Sequence, residues 1–116
     1  LNLAASQISR YPQGFGRALS ALEFHLLPSR EIVVAGLPGN ELEREVLAAY
    51  LPHTVIAFAH PDEPLCGPLF EGRETVKGKP AVYVCHDYVC SLPVTDIGDV
   101  RSLTTKNGPA VADRGR

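Results

Sequence analysis

Two cysteines in the stretch "CHDYVC", Cys85 and Cys90, are separated by four residues, and sulfur at that spacing admits three chemistries. A disulfide is the first. Cys85 closes the apolar run "AVYVC", and a turn through His86 to Val89 can bring the chain back beside it. A hairpin of that size sets two Cα atoms about 5.5 Å apart, within reach of a disulfide. Zinc is the second, but structural zinc wants four ligands, usually in pairs two to four residues apart. The remaining donors, Cys66, His60 and His86, form no second pair, so Cys85, Cys90 and His86 are weak metal candidates only. The third is thiol redox work, whose usual device is Cys-x-x-Cys at a helix N-terminus. Neither that spacing nor that helix is present. The pattern therefore reads first as small buried hydrophobes. No residue is assigned a catalytic or cofactor-binding role, and no cofactor is expected. A thiol redox or metal-binding module on Cys85 and Cys90 stands as the alternative.

Two further stretches bear on small ligands. "AGLPGNELE" lies between a strand-like run and a helix-like run, where α/β proteins often hold phosphate. It matches neither dinucleotide nor P-loop spacing, and Glu41 and Glu43 already occupy the positive end of the helix. "AHPDEP" places His60, Asp62 and Glu63 at the carboxyl end of the next strand-like run, the usual edge for ligand sites. These acids read as loop solvation and His60 as a surface residue. A binder of a nucleotide or sugar phosphate near Gly36 to Asn40 and His60 is a further alternative.

The elements that would hold these residues follow from periodicity. Pro12 suits a first helical turn, and Phe15, Ala18, Leu19, Leu22 and Leu26 recur at helical spacing up to Pro28. His25 sits at that helix's flank as a structural residue. Ile32 to Ala35 is a short β-branched run closed by glycine, the pattern of a strand covered on both faces. Asn40 and Glu43 make a capping box for a helix whose Leu42, Val46, Ala49 and Tyr50 share a face and which Pro52 ends. Thr54 to Ala59 reads as a second buried strand. Strand, helix and strand make a right-handed βαβ unit with parallel strands.

Residues 60–80, including the charge run "EGRETVKGK", are rich in proline and glycine. They read as a long surface connection pinned by Leu65, Leu69 and Phe70. "AVYVC" supplies a third strand. Thr95 or Asp96 can cap a last helix with Ile97, Val100 and Leu103. The fold class is thus α/β: a small two- or three-layer domain with a mainly parallel sheet of three to four strands, preceded by an amphipathic helix. It comprises residues 1–104, with the 11–27 helix set apart from the rest and 105–116 a flexible tail.

A chain of 116 residues can bury roughly two thirds of its unfolded surface, enough for one core. Its net charge of −2, with both signs interspersed, argues against nucleic-acid and anionic-membrane partners. No apolar run approaches the ~20 residues of a membrane span, and the N-terminus lacks a secretory pattern. An odd cysteine count does not suit a secreted disulfide framework, so a cytoplasmic setting is expected. The absence of methionine, even at position 1, suggests an excised or processed piece.

Three segments together, "YPQGFGRALSALEF", "REIVVAG" and above all "AVYVCHDYVCSLPVTD", resemble the C-terminal part of a multidomain family. Its members are known as thioredoxin-domain-containing, YyaL-like or spermatogenesis-associated proteins, and the match covers most of residues 11–103. The resemblance implies a parent with a thioredoxin-like domain, an α/α-toroid related to six-hairpin glycosidases, and a closing α/β lobe. The first helix would then be the last helix of the toroid. The thioredoxin-like Cys-x-x-Cys would lie upstream, and no catalytic residue is carried onto this chain. Ile97 and Gly98 stand where relatives tend to have proline and an acid, which predicts a less crisp start to the last helix. The expectation is a non-catalytic accessory domain, of unknown biochemical function, whose partners are the parent's other domains. Alone, it would self-associate through the first helix.

Overall fold

The structure, a computed structural model, describes residues 2–63, 67–87 and 89–105. A short 3-10 turn leads into helix α1 (Ala5–Arg10), and a second 3-10 turn starting at Pro12 leads into α2 (Gly16–Leu26). Then come strand β1 (Arg30–Ala35), helix α3 (Glu41–Ala48) and strands β2 (Thr54–Ala59), β3 (Ala81–His86) and β4 (Val89–Cys90). Helix α4 (Ile97–Thr105) ends the described chain. The tail expected at 105–116 lies outside the described residues from position 106 onward.

The fold is a small α/β domain built on one four-stranded sheet of order β2-β1-β3-β4. β1 and β2 are parallel, with Ile32 opposite Ile56, and α3 links them, which is the βαβ unit the periodicity predicts. The sheet as a whole is mixed rather than mainly parallel, because β3 runs antiparallel to β1 with Val33 opposite Tyr83. The chain geometry explains this. β1 and β2 end at the same edge, and β3 begins there, with Ala81 opposite Ala35. A Cβ placed on Gly36, just after β1, would stand 3.1 Å from Pro80 Cβ, just before β3. Entering from that edge, β3 has to run back against β1, whereas a parallel strand would need a crossover to the far edge.

β1 is the centre of the sheet, and Ile32, Val33, Val34 and Ala35 are all buried. Alternation sends Ile32 and Val34 to one face, where Leu42 and Val46 of α3 and Val100 of α4 cover them. Val33 and Ala35 point to the other face with Ala81, Tyr83 and Cys85, covered by Leu69, Phe70 and Val76 of the long connection. That double cover is why the strand carries no polar residue between Ile32 and Ala35. Of the expected pinning residues, Leu69 and Phe70 pack as anticipated, and Leu65 lies outside the described residues.

Asn40 caps α3: its Oδ1 accepts from the Glu43 N–H at 3.0 Å, while its Nδ2 donates to the Leu37 carbonyl. The apolar face of α3 is narrower than expected. The helix stops at Ala48, Ala49 is its extended C-cap, and Tyr50 is 85% exposed. β2 is likewise a rim strand and half-buried, not a second core strand. α4 starts cleanly despite Ile97 and Gly98, because Asp96 Oδ1 accepts from the N–H groups of Gly98 and Asp99.

Candidate functional site

The two sulfurs form the most developed chemical feature of the sheet. Ser91 donates its N–H to the Val84 carbonyl at 2.9 Å, so the next pair along, Cys85 and Cys90, is the close, non-hydrogen-bonded kind. Their Cα atoms are 3.9 Å apart, and the side chains are joined as a disulfide. This corrects the reading of both residues as reduced packing groups, since the close cross-strand pairing leaves each sulfur nowhere to point except at the other. Zinc would need free thiolates, and here each sulfur is bonded to its partner. His86 is exposed at the end of β3 opposite Val89, one residue out of step with Cys85 and so on the other face. Cys66 lies outside the described residues. Among the described residues no three His, Cys, Asp or Glu side chains gather as a metal site requires.

Two charged residues join the sulfurs, and sequence reading missed both. Arg73 belongs to "EGRETVKGK", expected to be a solvated loop, yet it is only 7% exposed. Its Nε–H donates to Cys90 Sγ at 2.9 Å and its Nη1 donates to the Pro68 carbonyl. The loop is held down by the Tyr83 hydroxyl, which donates to the Glu74 carbonyl at 2.6 Å. Glu31 is the Cα partner of Cys85 across the β1–β3 ladder. Residues opposite one another point to the same face, so Glu31, Cys85 and Cys90 form one row across three strands. Oε2 of Glu31 is buried and has no hydrogen-bond partner. The signal for Glu31 was parity: it stands two residues before Val33, on the same side of the strand. For Arg73 no local signal existed, since its partners come from 17 and five residues away.

The sulfurs are unequal. Cys85 is 0% exposed in the core, while Cys90 is partly exposed on the short rim strand.

A second cluster stands at the carboxyl edge of the parallel strands. His60, expected on the surface, is mostly buried: Nε2 lies 3.3 Å from Glu43 Oε2 and Nδ1 3.9 Å from Glu63 Oε2. Its ring stacks on Phe58 with centroids 6.0 Å apart. A cleft of 350 Å³ opens beside it, with Phe70, Arg73 and Glu74 on its wall. Asp62 is exposed. The Asn40 side chain is spent on its own turn and cap, and Glu43 and Glu63 flank His60, so the turn where a phosphate would sit has no free donor from Asn40 and carries carboxylates beside it.

The third feature is α2. None of its residues is buried, although Leu19, Leu22, Leu26 and the adjoining Leu27 make a continuous apolar groove. Side chains tie the helix to the start of β2 through His53, which lies 3.1 Å from Glu23 and meets the Phe24 ring edge-on. His25 is exposed near the C-terminal end of the helix, as expected.

Searches against family models, curated proteins and solved structures return no match to this chain.

Proposed function

We propose that this chain is an accessory α/β lobe which packs, through α2, against the other domains of a larger thioredoxin-like and glycosidase-like parent. The observation that carries the reading is the uncovered apolar face of α2, where Leu26 is 61% exposed and Leu19 and the adjoining Leu27 are open as well. Leu19, Leu22 and Leu26 of the helix and the adjoining Leu27 form a contiguous patch of the kind that marks an interaction site. The segment resemblance supplies the kind of parent. The lobe contributes a packing surface rather than group-transfer chemistry on a carbohydrate. The carboxyl edge near His60 is the weaker alternative, because Glu43 and Glu63 already engage His60 there.

Sedimentation velocity with a hydrophobic dye tests this. The chain alone self-associates or binds the dye. The double substitution Leu22→Glu, Leu26→Glu abolishes both while the thermal melt is kept. A compact, dye-silent monomer of the unsubstituted chain rules the docking role out.

A further inference from the structure

We propose that the row Glu31–Cys85–Cys90, closed by Arg73, is a dithiol–disulfide exchange site whose substrate is an accessible disulfide. This activity adds to the docking role and does not depend on it.

The asymmetry of the pair assigns the roles. Cys90, the partly exposed residue of the pair, is assigned the attacking sulfur, and Cys85, with no exposure, the resolving sulfur. The attacking species is a thiolate, and a neighbouring cation stabilises it. Arg73 supplies one: its guanidinium, mostly removed from water, donates to Cys90 Sγ at 2.9 Å, where a charge-assisted hydrogen bond favours the ionised sulfur. A buried resolving thiol has the opposite need, since it must shed a proton far from solvent. Glu31 stands directly across from Cys85 with a buried carboxylate oxygen that has no hydrogen-bond partner. A buried acceptor left open calls for an explanation, and proton acceptance from Cys85 supplies it.

The strands add no other charge on this face, and the charges around the row come from the cleft and the loop. On this face β2 contributes Val55, Ala57 and Ala59, and the Tyr83 hydroxyl is engaged by Glu74 O. His86 points away. His60, Glu63 and Glu74 share the cleft wall with Arg73, and Glu71, Lys77 and Lys79 belong to the same loop.

The steps balance. In the reduced protein, Cys90 thiolate attacks one sulfur of a substrate disulfide. A Cys90–substrate bond forms, and the first substrate thiolate leaves and takes a proton from water. Cys85 then passes its proton to Glu31 and attacks Cys90 Sγ. The Cys85–Cys90 bond forms, and the second substrate thiolate leaves with the proton that Glu31 returns. Two electrons move from the dithiol to the substrate, and a dithiol donor reverses the cycle.

The test begins with the folded, reduced, unsubstituted chain. Alkylation of Cys90 by iodoacetamide, followed against pH with peptide mapping, should titrate below the ~8.5 of a free cysteine. Arg73→Met should move the profile back toward that value, and Arg73→Lys should retain part of the shift. Cys85→Ser should trap a mixed disulfide on Cys90. Glu31→Gln should leave formation of that adduct unchanged in the two-cysteine protein but slow its resolution by roughly 100-fold. Glutathione disulfide and insulin serve as the two substrates: faster turnover of the first indicates a small-molecule disulfide, of the second a protein one. An ordinary cysteine profile in the unsubstituted chain overturns the proposal. So does exchange with both substrates no faster than that of an unstructured cysteine peptide, or loss of the fold on reduction.

Discussion

Arg73 and Cys90 lie 17 residues apart in the chain, yet Nε–H of one is 2.9 Å from Sγ of the other. That bond ties the long connection to the rim hairpin and closes the sheet face that Val33, Tyr83 and Cys85 begin. The covalent and the hydrogen-bonded links at Cys90 act in different ways. The disulfide restrains the unfolded chain as well as the folded one, whereas the guanidinium bond exists only once the loop is in place.

Reduction of Cys85–Cys90 is therefore expected to lower stability without removing the fold. The cross-link closes a loop of only a few residues, for which chain-entropy reasoning gives a loss of about 2 kcal/mol. Urea unfolding with and without a reductant measures it. Loss of native circular dichroism on reduction alone would show that the hairpin depends on the bond.

Leu42 and Tyr50 were expected on one face of α3, and the structure separates them. Leu42 is 4% exposed within the core cluster, and Tyr50 projects into water. Leu42→Ala should cost about 2–5 kcal/mol, and Tyr50→Ala less than about 0.5 kcal/mol. Equal losses in urea midpoints would place Tyr50 in the core after all.

Asn40 and Gly36 set the turn between β1 and α3. Asn40→Ala removes the acceptor for the Glu43 N–H and should cost about 1 kcal/mol. Gly36 has φ +147°, and an added Cβ would meet Asn40 Nδ2 at 3.0 Å and Pro80 Cβ at 3.1 Å. Gly36→Ala is expected to cost more than Asn40→Ala, because strain and crowding add. Paired thermal melts decide the order.

Glu45 and Arg101 join α3 to α4 through two hydrogen bonds, Nε to Oε1 at 2.8 Å and Nη2 to Oε2 at 3.0 Å. The hydrogen bonds from Arg101, reinforced by its charge, hold the Glu45 carboxyl below its ordinary 4.5 against the smaller opposing effect of burial. The unfolded chain thus takes up this proton more readily than the folded one. The stabilising contribution is complete above that ordinary value and fades as pH falls through the lower, folded value. Glu45→Gln should flatten the acid limb of a stability–pH curve, and added salt should shrink the difference. Curves that superimpose from about pH 6 down to about pH 3 would remove the pair from the stability account.

The βαβ unit was legible because its signals are local. A β-branched run, a capping box and a second run each fit within a few residues, and Asn40, Val46 and Ile32 behave as their spacing predicts. The direction of β3 was not legible, because it depends on which edge the proline-rich connection returns to, as the Gly36–Pro80 approach shows. The sulfur pairing was half legible. The hairpin and its reach follow from the spacing, but the choice between thiols and a disulfide turns on cross-strand register. Arg73 and His60 were misread as surface residues, since a charged residue in a loop carries no mark of the partners that bury it. Parity alone would have put Glu31 beside Cys85 had the antiparallel register been known.

The two ends of the sheet differ in kind. β4 is two residues long and stitched to β3, which leaves little for another strand to lie against. At the opposite end, "TVIAFA" has no charge, no proline and no described strand beyond it. Bonds from His53 and Ala59 to β1 show that the peptide groups of Thr54, Ile56 and Phe58 face outward. Among the described residues the sheet consequently has a polarity of growth: the β2 margin, without any of the usual charged gatekeepers, is the one open to extra chain.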